Sequence, residues 1–305
     1  MNTVSFVEPR AGMRHISPAH KPGLLDLDPE TFRNGFNRKP FLIGHNLAEH
    51  PLFSLPRLIE LSKSLPPEHV EYNAGNVPVS LDPSKTPRTG LSVEETIRRI
   101  EDCRSWMVLK YVENDPAYRE LLNQGLDQIG EHSESIEPGM HQREGFIFIT
   151  SPGSITPYHM DPECNFLLQI RGKKQVSLFD ASNRNLLGEE ELEGFFSGAH
   201  RNLQFKEEYQ AEAMGFELAP GQGLHFPVTW PHWVKNGDAV SISFSITFQT
   251  KKTERRNIVY HLNYGLRKRG LRPVPFGKSP LRDALKFNSF RIWRRLKGLV
   301  GLKSA

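Results

Sequence analysis

Cysteine is nearly missing from this chain: 305 residues hold only Cys103 and Cys164. Two thiols cannot build a disulfide framework, and a reducing cytoplasm is the compartment expected of such a sequence. Long apolar runs are missing as well. The longest, such as residues 146–150, are strand-length and far short of the roughly 20 residues a bilayer requires, so no membrane span is expected. Residues 1–20 contain no continuous apolar segment after a basic start, so no signal peptide is expected either. Neither a repeat of fixed period nor a low-complexity tract is found. With 37% hydrophobic residues, the chain has ample core material for one large domain with extensions, or for two modest ones.

Acidic residues are scarce at one end. From Lys251 onward there are sixteen Lys and Arg against Glu254 and Asp283, a local charge of +14, which leaves −10 for the first 250 residues of a chain whose net charge is +4. A neutral-looking protein is therefore an acidic body with a basic tail. Such a tail suits nucleic acid, an anionic membrane surface, or the acidic face of its own body or of a second subunit.

Residues 1 to about 40, rich in Pro, Gly and charge, are predicted to be an irregular arm, followed by a short strand at 41–44. Helical spacing over 52–65 ends at Pro66 and Pro67. Residues 78–90 are predicted as loop. Ser92 and Glu95 have the form of a capping box opening a helix through Ile100. A strand is predicted at 106–112, then a helix over 116–129 with Pro in its first turn and Gly130 after its end. From Gly145 the texture changes. Apolar, β-rich segments at 146–150, 165–170, 175–179 and 239–248 are separated by turns at 151–153 and 220–223. Short strands without helical periodicity between them point to a sandwich, jelly roll or barrel. Along 241–246 Ser241, Ser243 and Ser245 alternate with Ile242, Phe244 and Ile246, so one face is small and polar, as a strand lining a wet cavity would be. From Ser279 the apolar residues Leu281, Leu285, Ile292, Leu296 and Val300 trace a basic amphipathic helix.

The chemistry lies at Tyr158-His159-Met160-Asp161. Residues i and i+2 of an extended strand point the same way, so an imidazole and a carboxylate at this spacing reach one ion. A second histidine from a distant strand would complete a face of two histidines and one carboxylate, which leaves adjacent positions open at ferrous iron. His-x-Asp alone is weak evidence in a chain with 12 histidines. His69 with Glu71 and His132 with Glu134 offer similar spacing, but the second lies in a polar stretch without a strand pattern, and both are assigned to the surface. His159 has strands on either side, Lys174 follows fifteen residues later, and His232 stands just before the final alternating strand. His225 and the tryptophans Trp230 and Trp233 are assigned to packing, and Lys173 to solvent.

Three ordered blocks resemble one family: Thr156-Pro157-Tyr158-His159-Met160-Asp161, residues 165–174 (Asn165 through Gly172 and Lys174), and Phe226 through Trp230-Pro231-His232-Trp233-Val234. They look like the JmjC/cupin-like 2-oxoglutarate oxygenases, most of all the asparaginyl hydroxylase acting on hypoxia-inducible factor. The likeness covers roughly 146–248. It implies a mainly β fold with helical additions: a double-stranded β-helix (jelly-roll) core at 141–252, an N-terminal α/β region at 1–140 packing on it, and a basic C-terminal helical tail at 253–305. It also implies Fe(II) held by His159, Asp161 and His232, with Lys174 pairing the distal carboxylate of 2-oxoglutarate and the Thr156 hydroxyl as a second donor. Asn165 matches a position that contacts the cosubstrate. Ser245 stands where the asparaginyl hydroxylase has asparagine, and that enzyme's cosubstrate tyrosine has no assigned counterpart near 105–111.

The implied reaction is hydroxylation or demethylation of a C–H bond with O2. A protein or peptide side chain is the favoured substrate, with small molecules left open. The competing readings are a cupin metalloprotein that does not use 2-oxoglutarate, and a nucleic-acid-binding regulator with an inactive core. For the tail, packing on the body or homodimerisation through the C-terminal helices is favoured over nucleic acid.

Overall fold

A computed structural model describes residues 23–299, with side chains through Arg295 and Leu296 of the last helix. The expected arm over 1–22, and Val300, lie outside the described residues. Twelve strands follow in chain order: β1 (Leu25–Asp26), β2 (Phe41–His45), β3 (Val70–Ala74), β4 (Ser105–Lys110), β5 (His141–Thr150), β6 (Ile155–His159), β7 (Cys164–Arg171), β8 (Lys174–Leu178), β9 (Met214–Leu218), β10 (Gln222–Phe226), β11 (His232–Asn236) and β12 (Ser241–Gln249). They pair antiparallel in two sheets, ordered β1-β2-β10-β7-β12-β5-β4-β3 and β6-β11-β8-β9. Consecutive strands β5 to β8 switch between the sheets, which gives the jelly roll expected from the four β-rich segments.

The two-residue period of each strand decides what faces where. On β7 and β12, Phe166, Leu168, Phe244, Ile246 and Phe248 turn outward into one core. That core is closed by α1 (Pro29–Gly35), α2 (Leu55–Ser64) and α4 (Pro116–Ser133) through Phe32, Leu58, Leu61, Leu122 and Leu126. Each such side chain contributes about 1.5–3 kcal/mol by leaving water. The alternate residues, Asn165, Leu167, Gln169, Ser241, Ser243 and Ser245, turn inward. Leu167 meets Val176, Leu178, Leu218, Leu224, Phe226 and Val234 of the facing strands in a second core. The serine face expected to line a wet cavity is buried, and its hydroxyls find protein partners. Ser243 Oγ donates to Gln169 Oε1 at 2.7 Å, Ser245 Oγ donates to Asn165 Oδ1 at 2.6 Å, and Ser241 Oγ accepts from Gln169 Nε2 at 3.0 Å.

Several elements depart from the expectation. The stretch before residue 40 holds β1 and α1, because Asp28 caps the helix by accepting from the Thr31 N–H at 2.8 Å and Phe32 and Phe36 are fully buried. Helix α4 runs through Gly130 to Ser133 instead of ending before it. The cost of a helical glycine, about 1 kcal/mol against alanine, is outweighed by burial of Ile129 on the same helix. The capping box at Ser92 and Glu95 is present and opens α3 (Val93–Arg98), shorter than expected. The strand predicted at 106–112 stops at Lys110 because Tyr111 takes a left-handed conformation. A seven-residue helix, α5 (Glu189–Phe195), has no counterpart in the sequence reading. The basic tail forms α6 (Lys251–Arg267) and α7 (Pro280–Leu299).

The turn from β7 to β8 depends on Gly172. Its φ is +70°, and a Cβ there would lie 2.4 Å from the carbonyl oxygen of Val240. A left-handed alanine costs about 1–3 kcal/mol before any clash is counted. Gly172→Ala is therefore expected to lower unfolding free energy by about 3 kcal/mol in urea titration. An unchanged midpoint would show that the turn tolerates a side chain.

Candidate metal centre

The pairing of β6 with β11 places His159 and His232 as direct register partners. Their ring centroids are 4.1 Å apart. A register shift follows between His232 and Val234. Asp161 lies two residues beyond the end of β6, in the connection to β7, so it is not on a strand as the spacing suggested. The chain stays extended enough that Asp161 returns to the side of His159, while Met160 between them is buried in an apolar cluster with Phe179 and Trp233. The Thr229 N–H donates to the Asp161 carbonyl at 2.9 Å and holds this segment in place.

Asp161 Oδ2 stands 3.9 Å from His159 Nε2 and 3.7 Å from His232 Nε2, and a donor atom from each of the three residues lies within 4.8 Å of the others. The other ring nitrogens are committed. His159 Nδ1 is 2.7 Å from the Pro157 carbonyl oxygen and His232 Nδ1 is 3.0 Å from that of Trp230. A carbonyl only accepts, so each Nδ1 carries the proton and each Nε2 presents its lone pair to the shared space. Burial first, and then the neighbouring His232, push His159 down to about 3; burial lowers His232 too, so both rings are neutral, the form that binds metal. Burial pushes the Asp161 carboxyl up, but the Arg201 guanidinium and the Asn165 amide help hold it below the usual carboxylate range. Arg201, which belongs to no sequence motif, donates to Asp161 Oδ1 at 3.0 Å and leaves Oδ2 toward the histidines. Two neutral imidazoles and one carboxylate are the donor types that a facial divalent-iron site uses, and the residues present fit that ion.

The positions assigned to the cosubstrate divide. Lys174 is buried inside the barrel at 4% exposure. It lies four residues along β8 from Leu178, the register partner of His232, or about 13 Å of extended chain. Among the described residues no acidic group pairs with its ammonium, and burial alone lowers it to about 7. Thr156 Oγ1 accepts from the Trp106 indole at 2.9 Å, so the hydroxyl proton stays available to donate. Trp106, on β4, is the residue that the 105–111 segment contributes to this corner. Asn165 and Ser245 are bonded to each other, and Asn165 also bonds Asp161, so both buttress the carboxylate. Lys173 is exposed and 3.4 Å from Glu217, as expected of a turn lysine. Next to the centre, Asn202, bridged to His159, and Leu203 wall an open cleft of about 630 Å³ completed by Glu190, Glu191, His200 and Tyr264.

A profile of the cupin-like domain matches residues 88–254. The chain belongs to the cupin-like domain family. This cupin-like chain is 32% identical over 107 residues to lysine-specific demethylase 8 of Xenopus tropicalis, covering 32% of this chain and 22% of that protein. Over 117 residues it is 28% identical to human HSPB1-associated protein 1, covering 35% and 24%. It thus spans about a quarter of the length of the curated relatives it matches. A solved structure of ycfD from Escherichia coli superposes with a TM-score of 0.52 at 15% identity, covering 88% of this chain and 67% of that one, which shows a shared fold.

His225 has no place in the metal centre. Its Nε2 accepts from the Asn37 N–H at 3.0 Å, its Nδ1 is 2.9 Å from the Asn165 carbonyl oxygen, and Phe36 and Phe166 stack on the ring. His225→Phe keeps the shape but orphans two buried backbone groups, with an expected loss of about 2–4 kcal/mol in thermal or urea unfolding. Metal stoichiometry by equilibrium dialysis should be unchanged; loss of the metal would make His225 a ligand.

Proposed function

We propose that this chain is an Fe(II)- and 2-oxoglutarate-dependent oxygenase that hydroxylates, or demethylates through the same C–H chemistry, a side chain of a protein or peptide. The observation that carries the reading is a buried lysine without an anionic partner on the inward face that also presents three converging metal donors. A desolvated ammonium is costly until an anion arrives. Lys174 therefore marks a carboxylate-binding pocket beside the metal centre, and a dicarboxylic acid has one carboxylate for each.

On this reading His159, Asp161 and His232 hold the iron, Lys174 and the Thr156 hydroxyl hold the distal carboxylate, and Asn165, Ser245 and Arg201 fix the Asp161 carboxylate. Iron with 2-oxoglutarate and O2 supplies an oxidant, succinate and CO2. The chain's own groups do the positioning. The Pro157 and Trp230 carbonyls keep both imidazoles in the tautomer that binds metal, and the Trp106 indole turns the Thr156 hydroxyl proton toward the pocket. The apolar core around Val176, Leu178 and Val234 keeps water from the reacting centre. A relative matched over 107 residues is named a lysine-specific demethylase, which supports a protein substrate. The two cysteines stay free thiols, in keeping with a cytoplasmic setting.

Anaerobic Fe(II) plus 2-oxoglutarate is expected to give a visible charge-transfer band, and His159→Ala to lose both the band and succinate formation. A band retained in that variant, or none in the native chain, would remove the proposal. Lys174→Met should raise the KM for 2-oxoglutarate by roughly a hundredfold and, by deleting an unpaired buried cation, raise the stability of the ligand-free chain by about 1–3 kcal/mol.

The pH dependence follows from the same lysine. Its folded value near 7 lies below its ordinary 10.5, so between these limits the unfolded chain holds more protons and stability rises with pH. In that window 2-oxoglutarate needs the protonated lysine, so its affinity should fall with rising pH and binding should take up a proton. Calorimetry in buffers of different ionisation enthalpy measures the uptake. None at pH 8 would exclude Lys174 as the partner.

A further inference from the structure

We propose that the outward face of α7 docks on an anionic lipid bilayer surface. The proposal is independent of the oxygenase reading.

Helix α7 is fastened to α6 through its polar side. Lys286 Nζ donates to Asn263 Oδ1 at 2.5 Å, Phe290 meets the His261 ring at 6.1 Å, Arg255 donates to the Pro280 carbonyl, and Asp283 is buried against the Gly277 N–H. The apolar stripe lies opposite. Leu281 is 73% exposed, Leu285 60%, Ile292 58% and Leu296 56%, with Trp293 beside them at 49%. At 3.6 residues per turn these four aliphatic side chains fall within about 60° of arc, and the length from Leu281 to Leu296 is about 22 Å. A helix that turns its leucines away from the body leaves a face to be covered.

The flanking charges say by what. Arg282 borders the stripe on one side and Arg291 and Arg295 on the other, all exposed. A helix lying in a bilayer interface has this pattern: an aliphatic stripe among the acyl chains, an aromatic at its margin, and cations on both flanks reaching phosphate and carboxylate headgroups. No helix among the described residues is long and apolar enough to cross a membrane, so the contact is superficial. A second copy of α7 fits less well. The heptad that contains Leu285 and Ile292 has Leu281, Asn288 and Arg295 at its companion positions, so two of three are polar, and pairing would bring like charges together. Nucleic acid would use the arginines but leave the aliphatic stripe bare.

The test uses the full chain with vesicles of phosphatidylcholine alone or mixed with phosphatidylserine. Sedimentation with the anionic vesicles only, and a blue shift of the Trp293 fluorescence that Trp293→Phe removes, are expected. Leu285→Glu with Ile292→Glu, and separately Arg291→Glu with Arg295→Glu, should each weaken vesicle binding roughly tenfold or more. Thermal melting should be unchanged, because all four side chains are exposed. The proposal is overturned if vesicle binding survives both pairs of substitutions. It is equally overturned if light scattering finds a dimer that Leu285→Glu with Ile292→Glu dissociates, or if the chain binds RNA in a salt-sensitive manner but ignores anionic vesicles.

Discussion

The antiparallel pairing of β6 with β11 is the constraint on which the site rests. It makes two histidines 73 positions apart in the sequence direct register partners, and the peptide carbonyls two residues before each ring select the tautomer. A one-residue slip would send one imidazole to the opposite face. The register is held from both sides, because β11 also pairs with β8 along its whole length, and β8 is the strand that carries Lys174. The same ladder therefore positions the candidate metal donors and Lys174 relative to each other.

The interior of the barrel is polar where it faces the site and satisfied nearly everywhere else. Gln169, Ser241, Ser243, Ser245 and Asn165 form a buried hydrogen-bond network across β7 and β12. Such a network rigidifies a core only when its members are paired. Lys174 and, on the neighbouring strand, Asn236 Oδ1 are the exceptions among these inward groups. Keeping an unpaired cation there weakens the ligand-free protein, and on the proposed reading the same feature gives an incoming carboxylate a preformed partner. Stability is given up where binding needs it.

The opposed charges of body and tail resolve into specific contacts. Arg267 of α6 forms a two-point pair with the fully buried Glu193 of α5, at 2.8 and 3.1 Å. Lys268 pairs with Glu190 and Lys252 with Glu137. Arg256 stacks over Phe196 and donates to the Pro162 carbonyl, one residue past Asp161. The first tail helix thus braces the connection that carries Asp161. The second tail helix spends few of its cations on the body, and its arginines beside the apolar stripe stay exposed.

His232 and Lys174 are singled out by a family resemblance; by itself the sequence determined the β-rich core, the two-residue spacing of His159 and Asp161, the Ser92 capping box and the amphipathic tail. Each is a local statement: alternation, a two-residue spacing, a capping box and a stripe at helical period are written within a few positions. What the fold alone decided is non-local. Arg201 on Asp161, Trp106 on Thr156, the mutual pairing of Asn165 with Ser245 and the identity of the backbone partners of His225 all depend on segments 40 to 188 residues apart meeting in space. The extension of α4 through Gly130 was hidden for the same reason, since burial against distant strands outweighs a local helix-stop signal. Periodicity shows which side chains share a face, and only packing shows what that face meets.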